Sequence, residues 1–146
     1  MRVFHIALGI AALVPTAAAT LLGAWCWWRV QASRWFWRLL RTGQALVVVE
    51  ALDGGILRLT GHRVSGLHLL YGLLPLAISL IAEQFRISAT QMTLDARELP
   101  DARAVAKLPA AEQRELVQAI IRREIGVMTL AALVIVVLIA RAASVH

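Results

Sequence analysis

Four long apolar stretches restrict this chain to helices that cross a bilayer. Backbone N–H and C=O groups find no water in hydrocarbon, so a spanning segment must satisfy them internally. A spanning helix takes roughly 20 mostly apolar residues. Of the 146 residues, 60% are hydrophobic, more than the usual half of a soluble domain. Val3 to Trp28 carries no charged side chain other than a protonated His5, and the first span is placed at about 3–25. Further spans fall at about 39–59, 67–82 and 125–140. The second holds Glu50 and Asp53, yet omitting it would put the two basic loops on opposite faces of the membrane. The expected fold is all-α: an integral-membrane four-helix up-down bundle, with one cytoplasmic segment at 87–124 that is part loop and part helical extension.

Charge sets the direction of threading, because cytoplasmic loops carry an excess of Lys and Arg. Arg29, Arg34, Arg38 and Arg41 lie between spans one and two. Arg86, Arg97, Arg103, Lys107, Arg114, Arg122 and Arg123 lie between spans three and four. The other face has only Arg2, Arg58, Arg63 and Arg141. Both termini are therefore expected outside. Trp25, Trp27, Trp28, Trp35, Phe36 and Trp37 cluster at the first cytoplasmic turn, where amphipathic rings suit the headgroup layer. A second reading makes the N-terminus a cleaved secretory signal, from Arg2, an apolar core and Ala17-Ala18-Ala19. It would send the arginine-rich first loop outward, against the charge bias.

The net charge of +6 fits loops facing anionic lipid. No aromatic-interleaved basic strand or zinc spacing points to nucleic acid. The single Cys26 excludes an internal disulfide and reads as a free thiol near the cytoplasmic interface. Arginine outnumbers lysine 14 to 1, which fits a GC-rich genome and a bacterial plasma membrane. Within 87–124, the first half has Pro100 and mixed charges and reads as a surface excursion with a turn or two of helix. Pro109 suits a first helical position, and no breaker follows before the end of span four, which predicts one helix of about thirty residues. Leu116, Val117, Ile120 and Ile121 form an apolar stripe, for packing on the bundle's own end or for a partner subunit. Gly9, Gly54, Gly55 and Gly72 are the small residues expected to allow close helix approach.

Two constellations carry chemistry. His5 and His68 each lie about one turn inside a span entered from the outer face, and glycine follows four residues later, at Gly9 and Gly72. Residues four apart share a helix face, so each imidazole projects beside a side-chain-free patch. Two such faces would leave a slot for a planar macrocycle with two axial nitrogens, as in haem. Tyr71 lies near the face of His68 and Pro75 two turns below. Arg58 and Arg63 could pair with propionates at the outer rim. The alternatives are plain interfacial histidines, or a copper or zinc site from His5, His62 and His68. His146 also belongs to the outer face. Glu50 and Asp53, three apart, share a face of span two. An acid at a helix centre costs roughly 2.5–3.5 kcal/mol on insertion scales and usually turns inward. The pair reads as a proton relay, a cation site, or a hydrogen-bonded structural pair with Arg58 or a facing polar group as partner.

From Gln44 to Leu80 the chain resembles the repeating unit of the haem A synthase family. The likeness rests on Glu50-Ala-Leu-Asp53-Gly54-Gly55-Ile-Leu-Arg58-Leu, a short outer loop and Leu67-His68-Leu-Leu. It implies a four-helix half with haem ligands on its first and third helices, which correspond to His5 and His68. The chain departs from the family at Glu50, where glutamine is usual, and at Asp53, where an apolar residue is usual. It also lacks the glutamate before a His-Arg pair on the first helix, the outer cysteine pair and the second bundle. Synthase activity would thus require a partner or a homodimer. The resulting expectation is a b-type haem protein of electron transfer or haem handling, without catalytic residues of its own. The alternatives are an accessory or assembly subunit of a larger membrane complex, such as a respiratory one, and a small proton-coupled carrier using Glu50 and Asp53.

Overall fold

The computed structural model describes residues 2–61, 65–100 and 102–144. His62, Arg63 and His146 lie outside them. Among the described residues the chain is all-α, without strands. Its helices are α1 (Arg2–Arg29), α2 (Arg34–Leu59), α3 (Gly66–Asp95), α4 (Ala102–Ala106) and α5 (Ala110–Ser144). Three of them, α1, α3 and α5, are long and apolar enough to cross a membrane. Glu50, Asp53 and Arg58 near one end of α2, with Arg34, Arg38 and Arg41 at the other, set that helix apart.

The helix boundaries follow from local chemistry. Ser33 precedes α2, and its hydroxyl accepts the Phe36 N–H at 3.3 Å. Ser65 does the same for α3, accepting the His68 N–H at 3.2 Å. Both satisfy one of the donors that a helix start leaves unpaired. Pro109 stands one residue before α5, its carbonyl accepting the Gln113 N–H at 3.0 Å. The Gln113 side chain then donates to the carbonyls of Ala106 and Leu108, at 3.1 and 2.8 Å, and ties α4 to the first turn of α5.

Two helices end the same way. After α1, Gln31 N–H bonds Cys26 O at 2.9 Å and Val30 N–H bonds Trp27 O at 3.3 Å. After α3, Leu99 N–H bonds Leu94 O and Glu98 N–H bonds Asp95 O, both at 3.0 Å. These paired bonds make the termination motif that normally places glycine in the left-handed region. Here that place is held by Val30, with φ 50°, and Glu98, with φ 56°.

The excursion expected after span three is instead helical as far as Asp95. The reason is packing: α3 and α5 lie against each other, and the contact continues past the apolar spans. Buried Thr93 accepts from Arg123 at 3.3 Å, and Thr90 donates to Glu124 at 2.8 Å. Tertiary contact thereby overrides the modest helix propensity of Ile87-Ser88-Ala89-Thr90. In the apolar stripe of α5 only Leu116 is fully buried, while Val117 is about half exposed.

Helix α1 packs on α2 and α5, α3 packs on α5, and α2 touches α3 more lightly. One buried cluster joins Ala19 and Cys26 to Phe36, Leu40, Ile125 and Met128. A second joins Ala12 and Val47 to Ile135 and Ile139. The closest helix approaches use glycines other than those expected. A Cβ on Gly43 would lie 2.3 Å from the Thr16 hydroxyl, and one on Gly23 2.5 Å from the Phe36 ring. Gly55 and Gly72 meet nothing within 4 Å, which corrects the expectation that they seat a neighbouring helix. Large apolar side chains such as Ile6, Ile10, Val14, Leu73, Leu133 and Val137 point outward.

Val30→Gly relieves a β-branched residue in the left-handed region, the one such among the described residues, at a position whose sterics cost about 1–2 kcal/mol. Thermal unfolding of the purified protein should show a stabilisation of roughly 1 kcal/mol, net of the added freedom of the unfolded chain. A destabilised variant would show that Val30 is held by packing and not merely tolerated.

Candidate functional site

At one end of the molecule α1 and α3 begin while α2 and α5 finish, and all four helices contribute polar groups there. His5 lies one turn into α1 and His68 in the first turn of α3. Their ring centroids are 6.0 Å apart, with planes inclined at 55°. His5 Nδ1 is 3.0 Å from Asp53 Oδ2, and both side chains are about one-fifth exposed, at 21% and 19%. His68 Nδ1 is 3.0 Å from the carbonyl oxygen of Ala142. Ala142 is in the last turn of α5, where helix carbonyls run out of donors four residues on.

These partners fix the chemistry of the rings. A backbone carbonyl only accepts, so His68 donates from Nδ1 and, when neutral, carries its lone pair on Nε2. An ionised Asp53 imposes the same tautomer on His5. Anchoring one ring nitrogen on a carboxylate or carbonyl is how proteins orient a ligating imidazole and raise its basicity. Two imidazoles on opposite sides of one metal ion, at about 2 Å per nitrogen, would have centroids about 6 Å apart, against about 5 Å in a tetrahedral site. The observed separation is close to that requirement.

The carboxylates take distinct places. Asp53 serves His5 and so finds its partner on α1, not in Arg58. Glu50, one turn earlier on α2, lies over Gly9: a Cβ there would be 2.8 Å from Glu50 Oε1. Gly54 sits beneath His5, whose Cε1 would be 3.5 Å from an added Cβ. The patch beside His5 is therefore covered by a carboxylate, whereas the patch at Gly72 is open. Arg58 is exposed in the last turn of α2. Tyr71 is half-buried and Pro75 is buried. Among the described residues no group of three or more His, Cys, Asp or Glu is arranged to hold a metal ion. His62, the third residue considered for copper or zinc, is outside them, as is Arg63.

The opposite end carries charge of another kind. Arg41 donates to both oxygens of Glu83, through Nη1 to Oε1 and through Nη2 to Oε2 at 3.1 Å. Gln44 and Arg86 add bonds to the same carboxylate at 3.3 and 3.1 Å. Arg86 also reaches Glu124 at 3.6 Å, so the network links α2, α3 and α5. Trp37 lies under both guanidinium groups, 5.8 Å from Arg41 and 5.6 Å from Arg86. Sequence reasoning placed Arg41, Arg86 and Trp37 toward the cytoplasmic side but did not pair them and passed over Glu83. The spacing of Glu83 and Arg86, three residues apart on one helix, was the available signal. Nothing in the sequence marks the Ala142 carbonyl.

Asp53→Ala removes the acceptor that sets the His5 tautomer. In ¹⁵N spectra of imidazole-labelled protein, one ring should pass from a single Nδ1–H form to a mixture of tautomers while His68 stays unchanged. Unaltered spectra for both rings would show that Asp53 does not hold His5 in solution.

No protein-family model, no curated protein and no solved structure matches this chain.

Proposed function

We propose that the chain is a four-span protein of the bacterial plasma membrane, both termini outside, that binds a b-type haem between α1 and α3 through His5 and His68. Its role on this reading is electron transfer or haem handling, without catalysis of its own. Membrane residence is supported by the three long apolar helices and by the large apolar side chains that line their outer faces. A spanning α2 is supported by where its acids lie. Asp53 meets His5 and Glu50 lies against Gly9, and intramembrane acids turn toward the bundle interior. The up-down arrangement agrees with the arginine distribution and with the Trp-rich end.

The observation that carries the haem reading is the imidazole pair itself. Two rings from different helices stand 6.0 Å apart, each with Nδ1 held by an oxygen acceptor. The donor set suits haem iron, for which neutral imidazole is a common axial ligand. Gly72 leaves space beside His68, while Glu50 must swing from Gly9 for a macrocycle to lie flat against α1. Glu50 is a flexible side chain, so that movement is a rotamer change. Asp53 and the Ala142 carbonyl would orient the two ligands, and Arg58 at the outer rim would pair with a propionate. A haem bound there would supply one-electron redox chemistry. The resemblance to one half of haem A synthase supports the same site, and the missing first-helix glutamate supports a binding role over a synthase one.

Detergent-purified protein should show a Soret band that shifts on reduction, and His68→Ala should abolish it. A colourless wild-type preparation overturns the haem reading. Colourless protein that co-purifies with larger membrane subunits would replace it with an accessory role. Threading is tested separately by impermeant thiol labelling of Ser33→Cys in intact cells. It should stay unlabelled until the membrane is opened, and labelling from outside would reverse the orientation.

A further inference from the structure

A groove of about 590 Å³ crosses α5 at the Trp-rich end, opposite to the histidines. Trp27 of α1, Met92 of α3, and Arg122, Arg123, Gly126 and Leu130 of α5 are among the residues that line it. We infer that it is a binding site for one anionic phospholipid, with the phosphate at Arg122 and Arg123 and an acyl chain over Trp27 and Leu130. The inference rests on membrane residence and is independent of the haem.

The polarity of the groove runs along α5. Arg122 and Arg123 are exposed at its cytoplasmic rim. Leu130, eight residues on and about half exposed at 51%, lies about 12 Å deeper at the α-helical rise. Cation above and hydrocarbon below, over that distance, is the profile of a phospholipid in its own leaflet. The missing side chain of buried Gly126 lets the Trp27 indole lie against α5, where an added Cβ would fall 2.9 Å from it, so the indole itself forms the floor there, beside Met92 and Leu130. Glu124, the acid next to the two arginines, is already engaged by Arg86 and Thr90. Arg123 is steadied by a 3.3 Å bond to Thr93, so one guanidinium is pre-positioned. A soluble phosphate would use the rim but not the apolar floor, and a zwitterionic lipid would use the floor but gain little at the rim. Basic pockets between spanning helices on the cytoplasmic side are known to take anionic headgroups.

The test is native mass spectrometry of the purified full chain, after mild delipidation, titrated with dioleoylphosphatidylglycerol or dioleoylphosphatidylcholine. The anionic lipid should be retained on the order of tenfold more tightly, and Arg122→Gln should weaken it about fivefold, since each basic residue near the surface contributes about that factor. Arg122→Lys should keep most of the binding. Leu130→Trp, which fills the deep half of the groove without touching its charge, should also weaken retention, with helicity by circular dichroism confirming that each variant folds. Equal retention of the two lipids, or indifference to Arg122→Gln and Leu130→Trp, overturns the site. So does full displacement of the lipid by glycerol phosphate, which would make it a free-phosphate site, or protein dimerisation that Leu130→Trp abolishes, which would make the occupant a second copy. If wild-type chain fractionates without membranes or detergent, membrane residence itself fails, an outcome separate from a membrane-bound chain indifferent to lipid charge.

Discussion

Charge carried on α2 has to be answered by the helices around it, and that requirement organises both ends of the molecule. Asp53 and His5 are each about four-fifths buried, and a polar group buried without a partner costs free energy. Their contact therefore sets register, because sliding α1 by one turn along α2 would leave both groups buried without each other. At the far end Arg41 and Glu83 set α2 against α3 in the same way. Helix α2 is thus pinned at two points by polar contacts to two different neighbours.

Packing then decides how near the groups can come. Gly43 lets Thr16 of α1 approach the α2 backbone, and Gly23 admits Phe36. With α1 drawn onto α2 and α5, and α3 laid along α5, the first turns of α1 and α3 converge at one end. The imidazoles meet there without any contact between them that local sequence would specify. Their hydrogen-bond partners come from the other two helices, Asp53 from α2 and Ala142 from α5. Each ring is therefore oriented by a helix that is not its own.

What the sequence made legible was whatever depended on period and composition. The long apolar runs, the placing of His5 and His68 at one end, and the amphipathic tryptophans followed from spacing and charge. The extent of α3 did not, because Ile87, Ser88, Thr90 and Thr93 weaken the propensity of this stretch and its contacts with α5 support the helix. Two of the four expected glycines, Gly55 and Gly72, were misassigned for a related reason, whereas Gly9 and Gly54 do face a neighbouring helix. A glycine shows that space exists, not which helix fills it, so Gly55 and Gly72 looked the same as Gly43 and Gly23. The pairing of Asp53 with His5 and not with Arg58 needed the azimuth of α2, which one chain's periodicity leaves open. The Ala142 carbonyl is a backbone group on an unremarkable alanine, and no side-chain pattern can announce it.

The two polar ends differ in kind as well as place. The network around Glu83 joins guanidinium to carboxylate, and guanidinium keeps its charge under any conditions a cell offers. It can hold helices but has no second state to switch into. The end around His5 and His68 is built from imidazole, the side chain type that changes protonation near neutrality and that ligates metals when neutral, beside two carboxylates. A group that can exist in two states, anchored by partners that fix its tautomer, is the arrangement from which proton or metal chemistry can be made. Chemistry in this chain is therefore to be sought at the end that holds His5 and His68, while the Arg41–Glu83 end keeps α2, α3 and α5 in the register that holds the rings in place.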